Sequence, residues 1–300
     1  MTPSAWTSAL LVQAVVSATP LTLAGLGELT AERAGVINVG IEGMMLMGAI
    51  SGVAVGTLTG SAVLAVVAAV LAAMLLAAIF ACATILVKVD QIVCGMAINL
   101  LAIGVSGTIW QVLQQHSLTT LPDSAGFSPV IWGQYGMTFV TALLALGWWW
   151  GLRSSRSGII IRALGDAPEA CAANGIPVRR WRFAMVLLGG ACAGGAGAFF
   201  SVMRIHGFAE GMTGGRGFLV LALVIFGRWR VEGLIAGCPF FGIIESLQAH
   251  LQSGGYNQYL PHQLFQVLPY VAALSALAML SRSAPGPAAL GRPYPERSLS

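Results

Sequence analysis

From residue 43 to residue 87 the chain carries no charged side chain. A helix crossing a bilayer core needs about 20 apolar residues, so this run holds the end of one crossing and the whole of the next. The rest of the chain agrees with it. Charged residues make up 9% of the 300 and hydrophobic ones 57%, where a soluble domain carries about 25% charge. Mean hydropathy is +0.82. The fold class expected is all-α, a polytopic transmembrane helical bundle with eight to ten spans, and the chain is read as an integral membrane protein.

Candidate spans follow from the remaining apolar runs. The first covers 6–27, with Pro20 as a kink, and the segment 27–35 (GELTAERAG) holding Glu28, Glu32 and Arg33 reads as a turn. Gly52, Gly56 and Gly60 recur every fourth residue, a spacing that lets helices approach closely in lipid. Lys88 and Asp90 mark a short turn. Further runs cover 92–113 and 134–152, separated by a polar loop whose only charge is Asp123, and Trp148, Trp149 and Trp150 end the second as an interfacial belt. A Gly-rich run covers 183–203. A short run covers 218–227, and 233–251 is apolar except for Glu245. A last run covers 263–280. Residues 1–281 read as one transmembrane domain and 282–300 as a Pro- and Ser-rich, disordered tail. The amino terminus lacks a basic segment and reads as retained.

Basic residues orient such a bundle. Six of the fifteen lie in 153–182, with others at Arg228, Arg230 and in the tail. These segments are expected inside, the carboxyl terminus included, with the loops 114–133 and 252–262 outside. Counting backwards puts the 27–35 turn and Lys88 inside and the amino terminus outside; a re-entrant 28–43 segment is the alternative and would change the count.

The basic loop holds a helix signal of its own. Asp166 and Glu169 have capping-box spacing, Pro168 suits a first helical turn, and Gly175 with Pro177 ends the helix. Roughly two turns result, about 12 Å, too short to be stable alone. The helix either docks on a partner at the membrane face or is an ordinary loop helix.

Several chemistries have no signal. No G-x-x-x-x-G-K-[ST] occurs, and the one lysine, Lys88, follows Val87, so this chain has no P-loop with which to hydrolyse ATP. Neither catalytic triads nor metal spacings appear. His116, His206, His250 and His262 read as solvated loop residues and the five cysteines as small buried groups. Polar groups within apolar runs are the candidates for function, because they are costly at membrane depth. They are Asn38, Glu42, Asn99, Arg216 and Glu245. One reading lines a hydrated path with them; the other has them bond between helices or cap a broken helix, and is favoured for Glu42 and Glu245.

Residues 18–52, ATPLTLAGLGELTAERAGVINVGIEGMMLMGAISG, resemble the amino-terminal signature of nucleoside-type permease subunits of bacterial ABC importers, within the branched-chain amino acid and simple-sugar permease superfamily. Residues 210–233 resemble a second block and 159–184 the cytoplasmic loop, while 268–278 and 289–294 also fit. The resemblance implies a type II ABC importer-like fold in the cell membrane. It makes the loop helix a coupling helix built from Asp166, Glu169, Ala170, Cys171, Ala172, Asn174 and Gly175, with Cys171 a departure from the E-A-A…G pattern. It also implies a separate ATPase subunit carrying ATP and Mg²⁺, a second related permease forming a heterodimer, a substrate-binding lipoprotein and a nucleoside as cargo. No catalytic residue, metal or nucleic acid is expected. The alternatives are a permease for simple sugars or branched-chain amino acids, and an ion-coupled secondary transporter using Glu42 and Glu245. A non-transport scaffold would need none of these blocks.

Overall fold

Uninterrupted apolar runs become long helices in the computed structural model, which describes residues 3–122, 127, 129–253, 267–268, 271–272, 275 and 286–294. In chain order these are α1 Pro3–Arg33, α2 Ile41–Thr59, α3 Ala62–Ala81, α4 Gln91–Gln115, α5 Gly136–Ser154, α6 Arg156–Asp166, α7 Pro168–Ala173, α8 Val178–Ala198, α9 Arg216–Phe226 and α10 Val231–Ser253. Wider π-helical turns extend α3 through Cys82–Leu86 and α8 through Phe199–Ile205. Among the described residues there is no strand, only isolated bridges such as Thr120 with Gly207, and six helices are long and apolar enough to cross a membrane. The chain is a multi-pass, all-helical membrane protein.

The two ends of the bundle differ in charge. At one end Arg33 meets Trp229, the Gln91 side chain accepts from Ile37 N–H, and Ala289 N–H donates to Gly165 C=O. These contacts gather the basic segments together. At the other end Leu121 N–H donates to His206 C=O, and Gln134 bonds to the Val12 carbonyl near the start of α1.

The Gly-rich run sits at the centre, as its composition demands. A Cβ on Gly48 of α2 would lie 2.7 Å from the Gly194 Cα of α8, and one on Gly197 would collide with Met45 O. Only hydrogen at these positions lets α2 and α8 touch backbone to backbone. In the four-residue repeat, Gly52 and Gly56 pack against Val202 and Leu121, whereas Gly60 ends α2 with φ of +66°.

Four expectations change. First, α1 does not end near residue 27 but runs to Arg33. Glu28 and Glu32 are fully buried, accepting from Asn38 N–H and Trp229 Nε1–H, so they face partners within the protein rather than water. Second, the basic loop folds two helices. Asp166 is the last residue of α6, and α7 starts from Ala167 with no side-chain cap; the Asp166–Glu169 spacing straddles a helix boundary and forms no capping box. Third, the run 218–227 becomes α9, 11 residues and about 16 Å long, too short to cross alone. Fourth, residues 286–294 of the expected disordered tail form a turn bonded to Gly35, Gly165 and Arg182, their main-chain groups serving as partners. Asp123, the loop 254–262 with His262, most of the run 263–280 and the rest of the tail lie outside the described residues.

Candidate functional site

Two helices begin inside the bundle. Asn99 lies eight residues into α4, which starts beside Asp90 at the basic end, about 12 Å along its axis. There it meets the start of α2. Gly40, the residue before α2, has no side chain to cap with. Asn99 Oδ1 instead accepts from Gly43 N–H at 2.8 Å, and its Nδ2–H donates to Val39 O at 3.0 Å. Gly43 and Gly95 permit this approach, since a Cβ on either would press into the facing helix or loop. Asn99 thus caps α2 from a neighbouring helix, satisfying groups that lipid cannot.

Glu42, in the first turn of α2, does the same for α9. Its Oε1 accepts from Thr213 Oγ1–H at 2.6 Å and Gly215 N–H at 2.8 Å, and its Oε2 from Gly217 N–H at 2.6 Å. A negative charge at a helix start is also favoured by the helix dipole. The loop ahead of α9 needs left-handed backbone, with φ of +57° at Gly214 and +79° at Gly215. The next residue, Arg216, donates from Nε to Glu245 Oε1 of α10 at 3.0 Å, and its guanidinium lies 4.9 Å from the Phe200 ring centre. This ion pair is partly buried, with 26% and 10% of the side chains exposed.

The structure therefore brings four of the five membrane-depth candidates, Asn99, Glu42, Arg216 and Glu245, into one chain of contacts across α4, α2, α9 and α10. Asn38 stands apart from it: its backbone is held by Glu28 and its Nδ2 by Met44 Sδ. Its buried Oδ1 has no partner among the described residues. Sequence reading missed Thr213 and Glu28. Thr213 gives no signal beyond its place beside the glycines 211, 214 and 215, and Glu28 reads in sequence as part of a turn.

The second candidate region is α7. Its end is a Schellman motif: Gly175, φ +75°, donates its N–H to Ala172 O, and Ile176 N–H reaches back to Cys171 O. Cys171 and Pro168 are buried, while Glu169, Ala170, Ala173 and Asn174 are exposed. Leu164, Cys171 and Val178 form a small apolar cluster with Ile176, Trp181 and Tyr294 beneath the helix. Burial pushes the Cys171 thiol above its ordinary pKa. Asp166 at the end of α6 is exposed. α7 is thus a six-residue helix, about 9 Å long, held from below and offering one face outward.

Comparison with known proteins gives a consistent family. The chain matches the family described as branched-chain amino acid transport system / permease component over residues 10–277. It is 37% identical, over 81% of this chain and 78% of the other, to TsgC13 of Haloferax volcanii, a protein provisionally named as a glucose ABC transporter permease. It is 30% identical to the nucleoside ABC transporter permease NupC of Lactococcus lactis and to the guanosine ABC transporter permease NupQ of Bacillus subtilis, over 93% of this chain and 94% of each. No solved structure matches the chain.

Proposed function

The chain belongs to the family of branched-chain amino acid transport system permease components, and on that premise we propose that it forms the translocation path of an ATP-driven importer for nucleosides. The observation that carries the reading is end-to-end similarity to two permeases named for nucleoside and guanosine transport, at 93% coverage of this chain. The geometry of α7 supports the ATP-driven part, because a short helix held on its own apolar cluster presents an exposed face suited to a groove on an ATPase.

In this mechanism ATP and Mg²⁺ bind the partner ATPase, whose closure moves α7, the coupling helix. That motion passes through α6 and the end of α1, against which Gly165 packs. A second, related permease completes a heterodimer in the cytoplasmic membrane, with eight to ten crossings of the type II importer kind in this subunit. A lipoprotein outside delivers the nucleoside, and the basic end with residues 286–294 faces the cytoplasm. Glu42, Asn99, Arg216 and Glu245 fasten the helices that wall the path, and Asn38, fully buried with an Oδ1 unpartnered among the described residues, meets cargo only when the segment between α1 and α2 moves.

A sugar is the second reading, favoured by the 37% identity to a permease named for glucose. Uptake of radiolabelled purine and pyrimidine nucleosides, glucose, ribose and leucine by cells carrying this chain with its partners separates the two. Nucleoside uptake lost on deleting this chain is the expected result. Uptake of a sugar or leucine alone overturns the substrate assignment.

A further inference from the structure

We propose that the basic end of the bundle holds a site for the phosphodiester headgroup of an anionic membrane lipid. A cavity of about 130 Å³ opens there between the ends of α1, α5, α6 and α10, and Arg33, Arg153, Arg162 and Arg230 line it. One carboxylate, Glu232, lines it with them, so three positive charges are unmatched within the wall. Glu232 is itself engaged, accepting from Trp149 Nε1–H at 2.8 Å with Arg153 3.8 Å away. Asp166 acts on Arg33 from nearby, and Glu32 is taken by Trp229 Nε1–H.

The donors outnumber the one carboxylate in the wall and leave room for a further anion. Arg33 spends Nε on Trp229 O at 2.5 Å, and Arg162 spends one nitrogen on Leu152 O at 2.5 Å. Each is anchored and keeps further N–H groups. The Arg230 guanidinium is exposed and shares the field of Glu232 with Arg153. Planar guanidinium forks match the oxygens of a phosphodiester.

Three features favour a lipid over a soluble phosphate. Trp149 and Trp229 share the cavity wall, and indoles settle at the headgroup level of a bilayer. Trp150 beside them is 64% exposed, and Leu146 and Leu143 further along α5 are 63% and 71% exposed, an apolar surface along which acyl chains can run. Basic pockets between membrane helices are suited to anionic headgroups. The inference rests on the membrane reading of the fold and is independent of the cargo.

The test is native mass spectrometry of the full chain in detergent with phosphatidylglycerol, phosphatidylcholine or soluble glycerol phosphate added, repeated with the Arg153→Gln, Arg230→Gln double variant. Both arginines are exposed, and unfolding temperature without added lipid checks that the fold is kept. The wild type is expected to retain phosphatidylglycerol on the order of tenfold more than phosphatidylcholine, and the double variant to lose most of that preference. Equal retention of the two lipids overturns the proposal, as does a preference unchanged in the variant. Displacement of the lipid by glycerol phosphate at equal concentration assigns the cavity to a free anion and also overturns it. None of these outcomes depends on what the permease carries.

Discussion

The starts of α2 and α9 and the end of α7 pose the same problem, a helix terminus with unpaired backbone groups, and meet it in opposite ways. α7 ends at the basic face and is stopped by its own sequence: Gly175 turns left-handed, and two N–H groups return to Cys171 and Ala172. α2 and α9 begin inside the bundle and are capped from elsewhere, by Asn99 of α4 and by Glu42, which lies 173 residues before Gly215. Near water a local turn suffices, because solvent takes any group left over. At depth no solvent is available, and the cap must come from packing. The first kind of terminus can be refolded or pushed as a unit, which suits a coupling element. The second fastens helices together.

The largest expected effect breaks the deep junction. Glu42→Ala orphans the Thr213 hydroxyl and the N–H groups of Gly215 and Gly217. Hydrogen bonds between membrane helices are worth about 0.6–1.7 kcal/mol each, so the loss is about 2–5 kcal/mol, read as a fall in the yield of monodisperse protein and in uptake. Yield and uptake equal to wild type would remove Glu42 from the junction. Asn99→Ala frees two groups and is expected to cost about 1–3 kcal/mol, measured as a drop in unfolding temperature in detergent. For Arg216 and Glu245 a double-mutant cycle is informative. Glu245→Met alone should destabilise more than the combined Arg216→Met, Glu245→Met change, since a lone, partly buried charge is worse than none; losses from the two single changes that add in the double would mean the pair is not coupled.

At α7 the effects on stability are smaller and those on coupling larger. A Cβ at Gly175 meets nothing within 4 Å, so Gly175→Val acts only through its backbone, at about 1–2 kcal/mol for a left-handed residue. The thiol of Cys171 offers a direct readout. Buried and with its pKa raised, it should resist a polar maleimide at neutral pH in wild type and react faster in Gly175→Val as the helix lifts. Equal labelling of both would show that the Schellman turn does not hold α7 down.

The same contrast explains what was legible. The apolar runs, the Lys88–Asp90 turn, Pro168 and Gly175 act through their neighbours in sequence, and the structure keeps them. Glu28 and Glu32 were misread because a carboxylate facing a buried N–H looks, in sequence, like one facing water. Asp166 and Glu169 have the spacing of a cap, yet α6, whose amphipathic pattern is short, claims Asp166 as its last residue. The tail misled through composition: Ala289, Gly291 and Arg292 bond through their main chain, to which Pro and Ser content is blind. In the candidate path the residue types stood out, but their joining into one network depends on Thr213, Gly215 and Gly217, distant in sequence and silent by themselves.

On the proposed function, ATP hydrolysis on a partner would drive this permease through α7. Nucleoside uptake into vesicles carrying the assembled system, with wild type or Glu169→Arg in α7, tests it most directly. The account predicts uptake that needs ATP, persists when ion gradients are collapsed, and falls sharply in Glu169→Arg while the variant remains in the membrane at wild-type level. Uptake that ignores ATP and follows an ion gradient, or that is unaffected by the charge reversal, would contradict it.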